Sequence, residues 1–364
     1  PLAPLLLQRG VELHILTRRY PGLAPFEEIG GVPVHRLPIP GPKAVASLAF
    51  TFSAIPLLRR LRPHLIHAHE LLSPTTTAVL AKQLHGTPVV AKLLRGGELA
   101  NLEKLHTRRF GPLRFARFKK QVSAFITISR EIDQELAALG VPAWQRPFIP
   151  NGVDTDRFTP LPPAQKEAVR QQLKLPSGPV AIFTGRLVPE KRVAQLIQVW
   201  TAVQTIFPNA TLLICGEGAE AEKLQLMAGS GVQFAGRVDD VAPYLQAADI
   251  FVLPSATEGL SNALLEGMAA GLGCIATRVG GAPDLITHRS NGWLITPDQP
   301  GQLQEALLAM LADSATRIKM GQAARQRVIQ EYGLAHVAAQ LRQLYDRVLT
   351  NQPNMAHLSL EQQT

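Results

Sequence analysis

Short apolar runs alternate with amphipathic segments along nearly the whole of this 364-residue chain. That alternation restricts it to α/β layers built on parallel sheets, because apolar strands need cover on both faces and the segments between them supply it. In the first half, Val11–Thr17, Val32–Leu37, Leu65–His69, Pro88–Leu93 and Ala124–Ser129 read as strands. A second series runs through Val180–Thr184, Thr211–Cys215, Val232–Ala235, Ile250–Leu253 and Cys274–Thr277. Between them, the stretch from Thr159-Pro-Leu-Pro-Pro163 to Leu175-Pro-Ser-Gly178 breaks the pattern and reads as a linker. The expected organisation is two doubly wound, Rossmann-like domains, residues 1–150 and 151–335, facing each other across a cleft at the carboxyl ends of their sheets. A C-terminal helix over 336–350, crossing back to the first domain, and a disordered polar tail over 351–364 complete it.

No window approaches eighteen uninterrupted apolar residues, so no membrane span is expected. Cys215 and Cys274 are the only cysteines and both lie in apolar strand-like runs. They read as buried thiols in a reducing cytosol, which excludes a multi-cysteine metal site. Charge is uneven. Residues 1–150 hold 20 Lys/Arg against 9 Asp/Glu, a net of +11, whereas residues 151–364 hold 17 against 19, a net of −2. The basic half should meet something anionic.

The stretch most informative about chemistry is Glu258-Gly-Leu-Ser-Asn-Ala-Leu-Leu-Glu266, between an apolar strand ended by Pro254 and a helix that stops at Gly271. Ser261 suits the N-cap, so the amides of Asn262, Ala263 and Leu264 would point out of the helix start and favour a phosphate. Glu258 and Glu266 could accept hydrogen bonds from sugar or ribose hydroxyls. The layout suits a ligand with an anionic centre and polyol ends, a nucleotide-sugar; it also reads as a plain strand–helix unit with two surface glutamates.

Three further segments fit the same site. In Thr184-Gly-Arg-Leu-Val-Pro-Glu-Lys-Arg192, Gly185 turns the chain after a strand, and Arg186 and Lys191 follow at its carboxyl end. There they could neutralise a departing diphosphate, or stand as two solvated cations near a helix start. Gly216 and Glu217 lie in the turn Cys215-Gly-Glu-Gly-Ala219, which lacks the third glycine of a dinucleotide fingerprint and so disfavours an oxidoreductase. In Phe234-Ala-Gly-Arg-Val-Asp-Asp240, the backbone of Arg237 and Val238 could contact a base.

Pro150-Asn-Gly-Val-Asp154 with Phe158, Gly185-Arg186 with Lys191, Cys215-Gly-Glu-Gly218, Gly236-Arg-Val238 and the Glu258–Glu266 pair occur in this order and spacing. Together they resemble family 4 glycosyltransferases, retaining enzymes of the GT-B fold, over nearly the whole chain. The resemblance implies that Arg186 and Lys191 hold the donor diphosphate, Glu266 binds the ribose, Glu258 sits by the transferred sugar, and the Gly259–Leu264 backbone (Gly259, Leu260, Ser261, Asn262, Ala263, Leu264) cradles sugar and phosphate. It implies no cofactor and no metal, with the nucleotide-sugar, UDP- or GDP-linked, as substrate. The acceptor would be a hydroxyl of a glycan, lipid or lipid-linked molecule, as in cell-envelope polysaccharide synthesis. Same-face attack would retain configuration, the acceptor proton passing to the leaving phosphate.

The chain also departs from the family pattern. It opens at Pro1 on a helix like the one that follows the family's first glycine-rich loop, so a strand and that loop are expected to be missing. Where many relatives place a histidine, it has Arg95-Gly96-Gly97, candidates for the acceptor side together with His69. His67 and His69 read mainly as structural histidines; as a metal pair they would lack a third ligand. The segment Lys104–Lys120 holds seven cations and no acid among Phe110, Leu113, Phe115 and Phe118. It suits contact with an anionic membrane surface at the inner face of the membrane, whereas no nucleic-acid-binding module is recognisable. The rival readings are a GT-B epimerase and a catalytically silent nucleotide-sugar binder.

Overall fold

The structure is a computed structural model that describes residues 1–95 and 110–350, with only the backbone of Lys43 and Ala44. The chain divides into two units, one of residues 1–150 with those from Val337 onward, the other of Asn151–His336. The first contains α1 (Leu2–Gln8), β1 (Ile15–Arg18), β2 (Phe26–Ile29), β3 (Val32–Leu37), α2 (Lys43–Leu61), β4 (Ile66–His69), α3 (Ser73–His85), β5 (Val89–Lys92), α4 (Gly111–Gln121), β6 (Ala124–Ile126) and α5 (Arg130–Ala138). The second contains α6 (Pro163–Gln172), β7 (Val180–Thr184), α7 (Val193–Ile206), β8 (Thr211–Cys215), α8 (Ala221–Met227), β9 (Val232–Gly236), α9 (Ala242–Ala247) and β10 (Ile250–Leu253). It continues with α10 (Asn262–Ala269), β11 (Gly273–Thr277), α11 (Ala282–Leu285), β12 (Trp293–Ile295), α12 (Pro300–Ala312) and α13 (Ser314–Glu331). The last helix, α14 (Leu334–Thr350), belongs to the first unit from Val337.

The second unit is one parallel six-stranded sheet in the order β12-β11-β10-β7-β8-β9. Its inner strands are buried at every position, as continuous apolar runs such as Val-Ala-Ile-Phe-Thr184 require when helices cover both faces. The expected linker is part of this unit. Pro162 and Pro163 sit at the start of α6, where a missing amide costs nothing. One turn apart on α6, Lys166 and Arg170 clasp Asp249 at 2.7 and 2.6 Å. Burial works against the charge of Asp249, but Lys166, the Val180 amide and Arg170 hold its carboxyl below the ordinary value.

The first unit is less regular than one parallel sheet. Among the described residues it has two three-stranded sheets, β1-β3-β2 and the all-parallel β4-β5-β6. β2 was not expected and pairs antiparallel to β3 through Gly30-Gly31. Phe26-Glu-Glu-Ile29 carries only two apolar residues, and both are exposed, so its strand is set by the hairpin ladder and not by burial. No ladder joins β1 to β4 among the described residues, yet Leu16 and Ile66 pack on one apolar cluster around Ala54, Leu58 and Ala81. The other core of this unit joins Leu6, Val90, Ile126 and Ile149 to Leu341, Leu344 and Tyr345 of α14. No helix among the described residues is long and apolar enough to cross a membrane. Gly96, Gly97, the Lys104–Arg109 part of the basic segment and the 351–364 tail lie outside the described residues.

Candidate functional site

In the second unit the chain leaves β7 toward β8 and β9 on one side, then returns through β10 to β11 and β12 on the other. Connections therefore diverge between β7 and β10, and a crevice at the carboxyl ends of such a sheet is where ligands of doubly wound folds bind. The loops at this edge are laced by backbone bonds. Leu187 N donates to Glu217 O at 2.9 Å, Ala256 N to Glu190 O at 2.8 Å, and Gly281 N to Gly259 O at 2.7 Å. These join the exit of β7 to that of β8, the exit of β10 to that of β7, and the exit of β11 to that of β10. Gly216 donates to Gly236 O at 2.7 Å, and a Cβ on it would stand 1.8 Å from the Gly185 carbonyl oxygen, so the two turns can approach only without a side chain.

Lys191 and Glu258 come from the two diverging loops and meet there. Lys191 Nζ donates to Glu258 Oε1 at 2.5 Å, and Ser255 Oγ donates to the same oxygen at 2.7 Å. Both bonds fall on Oε1, which leaves Oε2 without a partner among the described residues. The Arg186 side chain is 62% exposed, and among the described residues its one ion pair is with Glu190, at 3.7 Å. Arg237 pairs with Glu217 at 3.3 Å, both side chains exposed, and Val238 beside it is half-buried.

Ser261 caps α10 as its residue type demands, its Oγ accepting from Leu264 N at 3.3 Å. The cap corrects one expectation: the Leu264 amide is occupied, and those of Asn262 and Ala263 are the ones left at the helix start. Asn151, from the Asn-Gly-Val-Asp motif, donates to Leu260 O at 3.1 Å and ties that motif to the loop before α10. One turn into α10, Glu266 is half-buried, and its carboxylate accepts no hydrogen bond among the described residues. Burial pushes its carboxyl up to about 7, against the pull of Arg157.

Two supports were not singled out in the sequence. Gly280, at φ +55°, lies so close to the Glu258 and Gly259 carbonyl oxygens that a Cβ would stand 2.4 Å from each. Ser255 is fully buried and orients Glu258. Val-Gly-Gly-Ala282 was a visible glycine signal after a strand; nothing marked Ser255.

In the first unit, His67 is tied to Tyr345 (Nδ1 to the hydroxyl, 2.8 Å) and its ring stacks on His69 at 4.6 Å. Arg95 is exposed, beyond β5. Lys92, the register partner of His69, is 4% exposed, and its side chain makes no hydrogen bond or ion pair among the described residues. Burial pulls its ammonium down to about 8. A lysine inside Pro-Val-Val-Ala-Lys-Leu-Leu94 was the available signal. Only the part of the basic segment from Phe110 onward lies among the described residues. α4 begins at Gly111-Pro112, and its Phe115 and Phe118 are core residues.

Residues 2–157 match the family described as Glycosyltransferase Family 4, and residues 178–313 match Glycosyl transferases group 1. The chain belongs to this glycosyltransferase family. It is 36% identical over 197 residues to the GDP-mannose-dependent monoacylated alpha-(1-6)-phosphatidylinositol monomannoside mannosyltransferase of Corynebacterium glutamicum, covering 50% of this chain and 51% of that protein. The chain thus spans about half the length of that relative. Its likeness to the N-acetyl-alpha-D-glucosaminyl L-malate synthase of Bacillus anthracis is 26% over 366 residues, 96% of this chain and 92% of the other. Among solved structures, sucrose-phosphate synthase of Thermosynechococcus elongatus superposes with a TM-score of 0.82 at 23% identity, covering 96% and 92% of the two chains. Anabaena HepE in complex with UDP gives 0.75 at 20%, covering 87% and 86%. At these identities the likeness is one of fold, and the fold is that of GT-B glycosyltransferases.

Proposed function

We propose that this family member transfers a sugar, with retention, from a UDP- or GDP-linked donor to a hydroxyl of a lipid-linked or glycan acceptor. The observation that supports this best is the meeting of Lys191 and Glu258 at the strand switch point, one loop away from the open amides of Asn262 and Ala263. In this reading the donor diphosphate lies against those amides, and Arg186 swings from its exposed position to join Lys191 beside it. Glu258 Oε2 accepts a hydrogen bond from a hydroxyl of the transferred sugar. Glu266 accepts from the ribose, and its ionised form is the better acceptor.

As transfer proceeds, the bond from the sugar's anomeric carbon to the diphosphate oxygen breaks and a bond to the acceptor oxygen forms on the same face. The acceptor proton goes to the leaving phosphate. Negative charge grows on the diphosphate, and Lys191 and Arg186 stabilise it more in the transition state than in the ground state. These two cations supply the charge that the reading requires, with no metal ion in it. The GDP-mannose named for the corynebacterial relative and the UDP in the HepE complex support the two donor classes. The phosphatidylinositol named for the corynebacterial relative supports a lipid-linked acceptor.

The experiment is thermal unfolding with UDP, GDP, ADP, their sugar conjugates and NAD, followed by assay of nucleotide release from whichever sugar conjugate binds. Ligand at 100 times its dissociation constant adds about 2.7 kcal/mol. Stabilisation by one nucleoside diphosphate but not NAD, with slow donor hydrolysis that Glu258→Ala abolishes, is expected. Stabilisation by NAD alone, or hydrolysis unaffected by Glu258→Ala, overturns the reading. Binding without any turnover leaves a silent nucleotide-sugar binder in its place.

A further inference from the structure

Helices α2, α3 and α4 lie side by side on the first unit, and none of the three contains an aspartate or glutamate. α2 turns an apolar stripe to solvent: Val45, Leu48 and Phe52 recur at helical spacing and are 51%, 60% and 72% exposed. The same stripe continues into Arg59, with Arg60 beside it, at the helix end. α4 repeats the arrangement. Leu113, 72% exposed, begins a stripe that runs through Arg117 to Lys120. An amphipathic surface helix ordinarily shows its polar face to water; these two show apolar side chains at one end and cations at the other.

The two stripes are brought together by α3. Thr77 Oγ1 bonds Thr51 Oγ1 of α2 at 2.8 Å, while the neighbouring Thr76 Oγ1 accepts from Arg114 of α4, whose guanidinium also reaches Leu72 O at 2.5 Å. Phe52 and Leu113 therefore sit beside residues pinned to consecutive positions of one helix. Between α3 and α4 an apolar groove of about 470 Å³ opens, lined by Val79, Leu80, Leu113 and Phe118.

We propose that the α2–α3–α4 face docks on an anionic phospholipid bilayer, with Leu48, Phe52 and Leu113 entering the head-group layer and Arg59, Arg60, Arg117 and Lys120 meeting the lipid charge. Three helices that carry cations, no acid and protruding apolar side chains complement a surface that is uniformly negative outside and apolar just beneath. A folded protein partner presents both signs of charge, and a second copy of this face would set cations against cations. The proposal goes beyond the donor site and does not rest on it, since vesicle binding is read without nucleotide.

The test is co-sedimentation of the full chain with vesicles of phosphatidylcholine alone and with about three parts in ten phosphatidylglycerol. The expected result is partition onto the phosphatidylglycerol vesicles that weakens as salt rises. Phe52→Ser with Leu113→Ser should lower that partition roughly tenfold, as should Arg59→Gln with Arg60→Gln, each with unfolding temperature preserved. Equal binding to both vesicle types, binding to neither, or unchanged binding by both double variants overturns the proposal. So does a change from dimer to monomer in vesicle-free sedimentation of the Phe52→Ser, Leu113→Ser variant without loss of vesicle binding, which would make a second copy the occupant.

Discussion

Lys191 and Glu258 are 67 residues apart in the chain and 2.5 Å apart in space. Their meeting follows from strand order: β7 and β10 are neighbours in the sheet, although two strands and three helices separate them in sequence. The pair is largely shielded, with side chains 16% and 11% exposed. Each partner therefore depends on the other more than a surface ion pair would.

That dependence can be measured by a double-mutant cycle. Lys191→Met leaves a shielded carboxylate without its cation and should destabilise the chain by about 2 kcal/mol, the scale of a charge-assisted hydrogen bond. Adding Glu258→Gln should cost less than the sum of the two single changes. Strictly additive losses in chemical denaturation would mean that the contact contributes no coupling.

Glu266 makes stability and nucleotide binding respond to pH. Its folded carboxyl is raised to about 7 from an ordinary 4.5, so its contribution is full below about 4.5 and is lost as pH rises through about 7. Glu266→Gln should therefore be indistinguishable from the parent near pH 4.5 and more stable at pH 8, by on the order of 2–3 kcal/mol. If the ionised carboxylate is what holds the ribose, affinity for a nucleoside diphosphate should be roughly tenfold weaker at pH 6 than at pH 8. The Glu266→Gln variant should lose that dependence; retention of the full slope would place the titrating group elsewhere.

Gly280→Ala tests the support under the Glu258 loop. The residue sits at φ +55°, and a Cβ would press on two carbonyl oxygens at 2.4 Å. A loss of about 2 kcal/mol is expected, together with weaker nucleotide binding as residues 258–260 shift. Gly301→Ala, where a Cβ meets nothing within 4 Å, is the control and should be neutral or slightly stabilising. Normal nucleotide affinity in Gly280→Ala would separate the loop from the site.

Lys92 should be a stability liability in the free protein. Burial lowers its ammonium to about 8, so the cost of burying the charge is fully present below that value and is relieved as pH climbs toward 10.5. Lys92→Met should stabilise the chain at pH 7 by about 3 kcal/mol, with the gain shrinking above pH 8. A destabilised Lys92→Met protein at pH 7 would show that the ammonium has a partner in solution.

The second sheet was legible strand by strand because its inner strands are buried on both faces and therefore apolar throughout. Val180–Thr184, Thr211–Cys215 and Ile250–Leu253 need no tertiary information to be recognised. β12 escaped because Trp293-Leu-Ile295 is too short for a periodicity. β2 escaped because its apolar residues face solvent. The linker reading failed at α6 for a different reason: proline marks a helix start as readily as a break, and only the position of Asp249 decides which.

For the site, residue type and spacing were enough to bring forward Arg186, Lys191, Glu258 and Glu266, since glycine turns and a serine cap are local chemistry. Their environments were not local. Whether Lys191 faces a phosphate or a carboxylate, whether Glu266 is solvated or driven up to about 7, and whether the Leu264 amide is open depend on what lies across the sheet edge. The same holds for the exposure of Phe52 and Leu113, which an apolar residue type by itself does not disclose. By itself the sequence determined the apolar inner strands of the second sheet, the Ser261 cap and the glycine turns, whose causes lie within a few residues. Tertiary structure decided burial and pairing, because charge, exposure and contact are set by residues tens of positions away.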